Sequence, residues 1–356
     1  MKLKTDNYHD QINAQNTLKL REVLKDLPLF VATYLNGLGD YMASRTRLGY
    51  AYDLKIFFGF LTEEIFFGKT IRDITISELA TVESEHIEAF MAYLSYYIPV
   101  GEPAEASQGE AKRNAALGKS RKLAAVRRLF KHLYMRKHIP ANPAELVAFP
   151  KIHGKVITTL EPDEIVRLLD EVDKGEKLNA RQKQFHERTR FRDAAIITLL
   201  LGTGLRVSEC VGLDLHHVDF TTGGLRVIRK GGDEAILYFG VEVESALINY
   251  LEVREKAVTQ EGHENALFLS LQNRRLTDRA IQKMVKKYAS LITQLKDISP
   301  HKLRSTFGTQ LYAETRDIYL VADVLGHADV NTTRKHYAKM DDSSRRRAAN
   351  AVRLRE

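Results

Sequence analysis

The sequence predicts a mainly α-helical protein with two domains: a small helical N-terminal domain, and a C-terminal domain that is mostly helical but holds a small antiparallel β-sheet. Three observations support this fold class. Apolar residues recur at helical spacing along most of the 356-residue chain. One stretch, LRVIRKGGDEAILYF, has the pattern of a β-hairpin. A proline-containing stretch separates the two helical regions, as a domain linker would.

The N-terminal domain is predicted over residues 25–150, after a polar arm or loose helix over residues 1–24 that is too short to fold alone. Apolar residues at helical spacing predict two helices within residues 27–61 and a third over Glu83–Tyr97. A fourth helix, Ser120–Arg136, combines an apolar stripe with a basic face. The cations of that helix are Arg121, Lys122, Arg127, Arg128, Lys131 and Arg136.

The predicted linker covers residues 139–159, where Pro140, Pro143 and Pro150 interrupt the helical pattern and Gly154 follows. We therefore place the domain boundary near Pro150, and an internal loop of one domain is the alternative. At about 100 to 200 residues per domain, the chain length also predicts two domains.

The C-terminal domain is predicted over residues 151–356. A nearly continuous apolar run predicts a buried helix over Arg190–Leu201, which the following glycines end. The hairpin turns at Lys230–Asp233, where two glycines supply the positive φ angles that tight hairpin turns require. Further helices are predicted over residues 241–257 and 277–294.

Charge and cysteine content narrow the function classes. The chain has 54 Lys and Arg residues against 46 Asp and Glu residues, a formal net charge of +8, which favours a polyanionic partner. The single cysteine, Cys210, excludes an internal disulfide and a cysteine zinc site, and so favours a reducing compartment. The N-terminus has no signal-peptide pattern and no stretch is apolar enough to span a membrane, so we expect a cytoplasmic protein without a membrane partner.

The stretch over residues 298–339 combines residue types that suit a phosphate group. His301 and Arg304 are spaced to lie on one face of a helix, and Pro300 marks the start of that helix, where backbone N–H groups also favour anions. Arginine offers a planar fork of donors for phosphate oxygens, and a tyrosine beside such a clamp can act as a covalent nucleophile, the role predicted for Tyr337. A surface His–Arg pair and a packed tyrosine are the alternatives.

Two other segments offer further candidates. In GTGLRVSE, Arg206 starts a helix and Glu209, one turn later, can orient its side chain. The Gly-x-Gly of this segment resembles a dinucleotide-binding turn, but the third glycine position falls on Val207. Lys230 lies at the hairpin tip, from which a flexible lysine can reach a substrate, although lysine is common beside such turns. His327 follows a glycine after a predicted helix, and a helix C-cap is the alternative for it.

Taken in chain order, the candidate residues resemble the pattern of the tyrosine recombinase (phage integrase) family. The resemblance covers the chain closely from about Thr159 to the end, and the N-terminal helices more loosely. One departure is that Tyr337 lies a residue further from His327 than in many members, because the commoner spacing falls on His336. The residues that carry the resemblance are Arg206, Lys230, His301-x-x-Arg304, His327 and Tyr337.

The resemblance implies the fold shared by tyrosine recombinases and type IB topoisomerases, and a site-specific DNA recombinase that works through a 3′-phosphotyrosine intermediate without metal, cofactor or ATP. His301 can relay the tyrosine proton, since imidazole titrates near neutrality whereas phenol titrates at about pH 10. The implied roles are clamping of phosphate oxygens by Arg206 and Arg304, support of Arg206 by Glu209, protonation of the 5′-oxygen by Lys230, hydrogen bonding by His301 and His327, and attack by Tyr337.

The implied partner is double-stranded DNA, bound by a Xer-like two-domain clamp. The arginine-rich segment after Asp342 resembles the family's terminal segment that docks on a neighbouring protomer, so we expect a homotetramer on DNA at synapsis, alone or with a second related recombinase. A loose basic tail is the alternative. The other functions that fit are a type IB topoisomerase and a catalytically inactive DNA-binding accessory protein. The candidate DNA-binding residues are Arg121, Lys122, Arg127, Arg128 and Lys131.

Overall fold

The computed structural model describes residues 8–39, 41–98, 112–152, 158–229, 232–293, 295–327, 329–331 and 333. Backbone contacts divide the chain into two compact units, unit 1 over residues 1–154 and unit 2 over residues 155–356. Among the helices of the described ranges, none combines the length and the apolar character that crossing a bilayer would need.

Unit 1 is a helical module built around aromatic side chains. Phe57, Phe58, Phe90 and Phe130 are fully buried, and the rings of Phe57 and Phe90 meet edge to face with centroids 5.1 Å apart. Its helices are α1 Tyr8–Leu24, α2 Leu29–Gly37, α3 Ser44–Glu64, α4 Ile76–Leu79, α5 Ser84–Tyr93 and α6 Ala116–Met135.

The segment predicted as a polar arm or a loose helix contributes to the core of unit 1. Leu20, Val23 and Leu24 of α1 are buried together with the apolar residues of α3. The described part of that segment is therefore a packed helix, because its last two turns carry the apolar residues that its polar first half lacks.

Unit 2 is mostly helical with one three-stranded sheet, which confirms the predicted fold class. Helix α8 begins at Ala180 rather than at Arg190, because Asn179 and Gln182 cap its start with reciprocal hydrogen bonds of 3.0 and 2.9 Å. The helices of unit 2 are α7 Pro162–Lys174, α8 Ala180–Thr203, α9 Val207–Val211, α10 Val241–Arg254, α11 Asp278–Ile292, α12 Pro300–Thr315 and α13 Ile318–Leu325.

The sheet consists of β1 Val218–Asp219, β2 Gly224–Ile228 and β3 Glu234–Tyr238, all antiparallel and in that order. Strands β2 and β3 form the predicted hairpin, in register with Arg226 opposite Ile236. Strand β1 was missed in the sequence because two residues are too short to show alternation.

Left-handed glycines end the two helices that lead into the candidate site. Gly204 ends α8 at φ 64°, and a Cβ there would overlap the Phe307 ring and lie 2.9 Å from Cδ2 of Leu325. Gly326 ends α13 at φ 60°. Both helices therefore stop at a turn that favours glycine, and Arg206 follows two residues after Gly204 while His327 directly follows Gly326.

Candidate active site

The C-terminus of α13 is where the structure brings predicted site residues together. The last carbonyl groups of a helix have no partner further along that helix and require other donors. Here the carbonyl oxygens of residues 323–326 accept hydrogen bonds from three arginine side chains that come from three different segments of unit 2. Cations at this end of a helix also interact favourably with the helix dipole.

Arg206 occupies the N-cap position of α9 and bridges two elements. Its Nη2 donates to the carbonyl oxygen of Gly326 at 2.9 Å. Its Nη1 and its backbone N–H donate to the two carboxylate oxygens of Glu209 at 2.7 and 2.9 Å. The Glu209 side chain is only 4% exposed, whereas that of Arg206 is 31% exposed. A buried carboxylate thus fixes an arginine that still reaches solvent.

Arg304 is buried and connects the ends of α8 and α13. Its Nη1 donates to the carbonyl oxygen of Gly204 at 2.6 Å, and its Nη2 donates to the carbonyl oxygen of Leu325. Because Arg206 binds the next carbonyl along, the two arginines meet at neighbouring peptide groups. Arg206 and Arg304 are far apart in the sequence, so only the fold reveals that they are close together.

The two candidate histidines lie at different depths. His301 is exposed at the start of α12, one turn before the buried Arg304. His327 is partly buried directly after Gly326, and its Nδ1 lies 2.7 Å from the hydroxyl oxygen of the fully buried Thr333. This hydrogen bond engages Nδ1 and sets the orientation of the ring, so that Nε2 is the atom suited to a ligand.

Lys230 and Tyr337 lie outside the described residues, as does His336. The residue before Lys230 does contact the site: Arg229 donates from Nη1 to the carbonyl oxygen of Asp323 and from Nη2 to that of Val324, both at 3.1 Å. Sequence reasoning missed Arg229. The available signal was two adjacent cations at a hairpin tip, which predicts that the hairpin approaches an acceptor-rich surface.

Among the described residues of this site, the arginines outnumber the carboxylates that they contact. Three guanidinium groups, those of Arg206, Arg229 and Arg304, meet one described carboxylate, that of Glu209, and most of their other partners are neutral carbonyl oxygens. Neutral acceptors orient a cation without cancelling its charge. The described part of the site therefore suits an anion with several oxygens, such as a phosphodiester.

In unit 1, the structure separates the predicted basic face of α6 into exposed and structural cations. Lys122 is buried, and its ammonium group donates to Asn114 at 2.9 Å and lies 3.7 Å from the buried Asp53. Contrary to the sequence prediction, Lys122 does not belong to the basic face. Its spacing four residues before the buried Val126 was the sign of this. Arg121 also pairs with Asp53, but its side chain is 52% exposed.

Arg127 has a structural contact set. It donates to the carbonyl oxygens of Ala144 at 2.9 Å and Glu145 at 3.1 Å and to that of Val147, and it stacks over the Phe149 ring at 4.3 Å. These bonds fix the segment that leads out of unit 1.

Two further candidates of α6 are on the surface, in addition to Arg121. Arg128 and Lys131 are exposed and line one groove together with Tyr50 and Phe149. In unit 2, Arg279 and Lys283 are exposed one turn apart on α11, opposite its buried stripe. The sequence analysis did not single out these two, although their spacing on an amphipathic helix was visible.

Comparison with known proteins places this site in a family. Residues 158–344 match the Phage integrase family. Tyrosine recombinase XerC of Caldanaerobacter subterraneus subsp. tengcongensis is 32% identical over 345 residues, which cover 94% of this chain and 89% of that protein. Tyrosine recombinase XerC of Chlorobaculum tepidum is 31% identical over 301 residues, which cover 82% of this chain and 84% of that protein.

Solved structures have the same fold. The Tn1549 transposon integrase in complex with circular intermediate DNA matches with a TM-score of 0.64 at 19% identity, covering 91% of this chain and 98% of that chain. The XerH site-specific recombinase bound to palindromic difH substrate matches with a TM-score of 0.59 at 23% identity, covering 86% and 80%. The family match over residues 158–344 and the similarity to XerC show that the chain belongs to the phage integrase family and is a Xer-like tyrosine recombinase.

Proposed function

We propose that this recombinase cleaves and rejoins DNA through a 3′-phosphotyrosine on Tyr337, and that Arg206 and Arg304 bind the scissile phosphate. The observation that carries the proposal is the convergence of both guanidinium groups on adjacent carbonyl oxygens, those of Gly326 and Leu325, directly before His327. Donors held in place before the reaction stabilise developing charge without reorganisation.

The Tyr337 oxygen forms a bond to phosphorus while the bond from phosphorus to the 5′-oxygen breaks. His301 accepts the phenol proton and Lys230 donates a proton to the leaving 5′-oxygen. His327 donates a hydrogen bond from Nε2 to a nonbridging oxygen. Attack of another 5′-hydroxyl on the phosphotyrosine reverses these steps, and needs no ATP because the covalent linkage keeps the energy of the broken bond.

The test is trapping of the covalent adduct on a suicide substrate, a duplex nicked close to the cleavage site so that the short fragment with the free 5′-hydroxyl diffuses away after cleavage. We expect Tyr337→Phe to form no adduct but to bind the duplex with the same affinity as the unchanged protein. His336→Phe is the matched control, since His336 occupies the commoner family spacing. Adducts that survive in Tyr337→Phe, or that disappear only in His336→Phe, would refute the choice of nucleophile.

We further propose that unit 1 is the core-DNA-binding domain and unit 2 the catalytic domain, with cations of both units contacting DNA phosphates. The supporting observation is the exposure of Arg128 and Lys131 on α6 and of Arg279 on α11. Log affinity falls linearly with log salt, and each lost phosphate contact should make this negative slope shallower by about one. Arg127→Ala is the contrasting variant: it should destabilise unit 1, because its bonds are to backbone carbonyls. Equal slopes for Arg128→Ala and the unchanged protein would contradict the assignment.

We propose a homotetramer at synapsis, in which the basic segment 343–356 of one copy docks on unit 2 of the next. Unit 2 has an apolar groove between α7, α8, α10 and α12, and the exposed Glu242 and Glu314 lie at it. The segment combines five arginines with apolar residues, so its charge and hydrophobicity complement the groove. Glu242→Lys with Glu314→Lys should weaken synaptic complexes in native gels but leave binding to single sites unchanged. If this variant forms as much synaptic complex as the unchanged protein, the docking site is refuted.

A further inference from the structure

We propose that Arg229 is a positioning residue for the cleavage reaction: it ties the β2–β3 hairpin to the C-terminus of α13 and thereby holds Lys230 at the leaving 5′-oxygen. The proposal rests on the function proposed above, in which Lys230 is the general acid. It adds a residue that none of the family's pattern positions includes.

The side chain of Arg229 is fixed at both of its outer nitrogens. The two hydrogen bonds, to the carbonyl oxygens of Asp323 and Val324, are each 3.1 Å long. The guanidinium group also lies directly over Gly326, where a Cβ would be 2.6 Å from its Cζ and 2.8 Å from its Nε. The absence of a side chain at Gly326 therefore creates the space that Arg229 occupies.

The backbone of Arg229 is fixed as well. Its N–H donates to the carbonyl oxygen of Asp233 at 2.8 Å, and its carbonyl oxygen accepts from the N–H of Gly232 at 3.1 Å. These bonds join Arg229 to Gly232 and Asp233, the described residues on the far side of the hairpin turn. A residue anchored by its main chain to the turn and by its side chain to α13 joins the two elements rigidly.

The anchor lies beside the proposed phosphate clamp. Arg229 binds the carbonyl oxygens of residues 323 and 324, and the clamp arginines bind those of residues 325 and 326. Successive Cα atoms are about 3.8 Å apart, so Lys230 begins one residue from a side chain that touches the site. A general acid must come within hydrogen-bonding distance of the atom it protonates. Catalysis by Lys230 therefore requires that the hairpin be correctly positioned.

A change of leaving group separates this role from a general structural one. An alkoxide is a poor leaving group and needs a proton as it departs. A thiolate departs without a proton, because a thiol such as that of cysteine has a pKa of only about 8.5. A substrate with sulfur in place of the bridging 5′-oxygen therefore bypasses the general acid. Variants that harm only the protonation step should recover on this substrate, and variants that harm the phosphate clamp should not.

The experiment compares single-turnover adduct formation on the oxygen and sulfur substrates. We expect Arg229→Ala to slow cleavage of the oxygen substrate about 10- to 100-fold, less than the roughly 100- to 10,000-fold that losing a general acid causes in Lys230→Ala. On the sulfur substrate both should react within a few-fold of the unchanged protein. Arg226→Ala, an exposed arginine on the same strand, is the matched control and should react normally on both.

Several outcomes would overturn the proposal. The proposal fails if Arg229→Ala cleaves the oxygen substrate at the unchanged rate, and it also fails if this variant is equally slow on the sulfur substrate. Recovery on sulfur in Arg229→Ala itself demonstrates a folded clamp, and Arg229→Lys, which keeps the charge but not the two-pronged contact, should give an intermediate defect. If Lys230→Ala stays slow on sulfur, the assignment of Lys230 fails, and the role of Arg229 fails with it; recovery in Lys230→Ala but not in Arg229→Ala refutes the role of Arg229 alone.

Discussion

Replacing Gly326 with alanine tests the packing at the end of α13. The left-handed backbone at φ 60° costs about 1 kcal/mol for a residue with a Cβ. The new Cβ would also lie 2.6 Å from Cζ of Arg229, so the guanidinium group must move and give up its two carbonyl bonds. At about 0.5 to 1.5 kcal/mol for each bond, the total loss of unfolding free energy is about 2 to 4 kcal/mol.

The measurement is urea unfolding of the full chain followed by far-UV circular dichroism, with hydrogen exchange of the α13 amides as a local readout. Gly262→Ala is the matched control, because Gly262 has φ 84° and no atom within 4 Å of its Cβ position. The control should cost only the backbone term of about 1 kcal/mol. In an Arg229→Ala background, Gly326→Ala should also cost no more than that.

Two results would refute this reasoning. If Gly326→Ala and Gly262→Ala lower the unfolding free energy by the same amount, the contact with Arg229 contributes nothing to stability. If the excess cost of Gly326→Ala persists in the Arg229→Ala background, another neighbour must cause it, because residues that interact show non-additive effects whereas independent ones add.

Three further changes test the supporting residues. Glu209→Gln removes the charged partner of Arg206, a bond worth about 1.5 to 3 kcal/mol, so adduct formation should fall roughly 10- to 100-fold in single-turnover assays. Thr333→Val removes the hydroxyl group 2.7 Å from Nδ1 of His327, and the same assay should show a roughly 2- to 10-fold fall with DNA binding unchanged. Burial raises the pKa of Asp53 from 3.8 to about 6, outweighing its arginine and lysine neighbours. The folded state then holds the proton more tightly, so the unfolding free energy should fall by about 2 to 3 kcal/mol as pH rises from about 4 to 6, and Asp53→Asn should abolish this fall in urea titrations.

Each of these variants has a matched control in the same unit, at a residue outside the contact that is tested. Glu187→Gln on the surface of α8, Thr309→Val on α12 and Asp26→Asn in unit 1 should leave the respective quantities unchanged. Adduct formation at the normal rate in Glu209→Gln would show that this carboxylate does not support the reaction. A normal rate in Thr333→Val would show the same for the threonine hydroxyl. A pH slope that survives in Asp53→Asn would point to another titrating group.

The long helices were predictable because their apolar periodicity reflects one buried face. Strands β2 and β3 were equally clear from the glycines of the turn between them. What the sequence left out depends on contacts made elsewhere in the fold: β1 exists only through its pairing with β2, and the first turns of α8 depend on the cap at Asn179. The packing of α1 was missed because only Leu20, Val23 and Leu24 at its end are buried.

In the candidate site, the chemistry of the side chains was predictable and their supporting contacts were not. Arg206, Arg304 and His327 carry groups suited to a phosphate, and these residue types are visible in the sequence. Arg229 and Thr333 act through contacts to a helix terminus and to a ring nitrogen, which only three-dimensional proximity creates.

The arginines reach α13 through peptide oxygens, and this has a consequence for how the site can evolve. Asp323 and Val324 present the same main-chain acceptors whatever side chains they carry, so substitutions there can accumulate without disturbing the guanidinium groups. Gly326 has no such freedom. Sequence variation at positions 323 and 324 would therefore understate the importance of their main-chain acceptors. A deep mutational scan should find that the exposed Asp323 tolerates substitution, whereas Gly326 tolerates almost none.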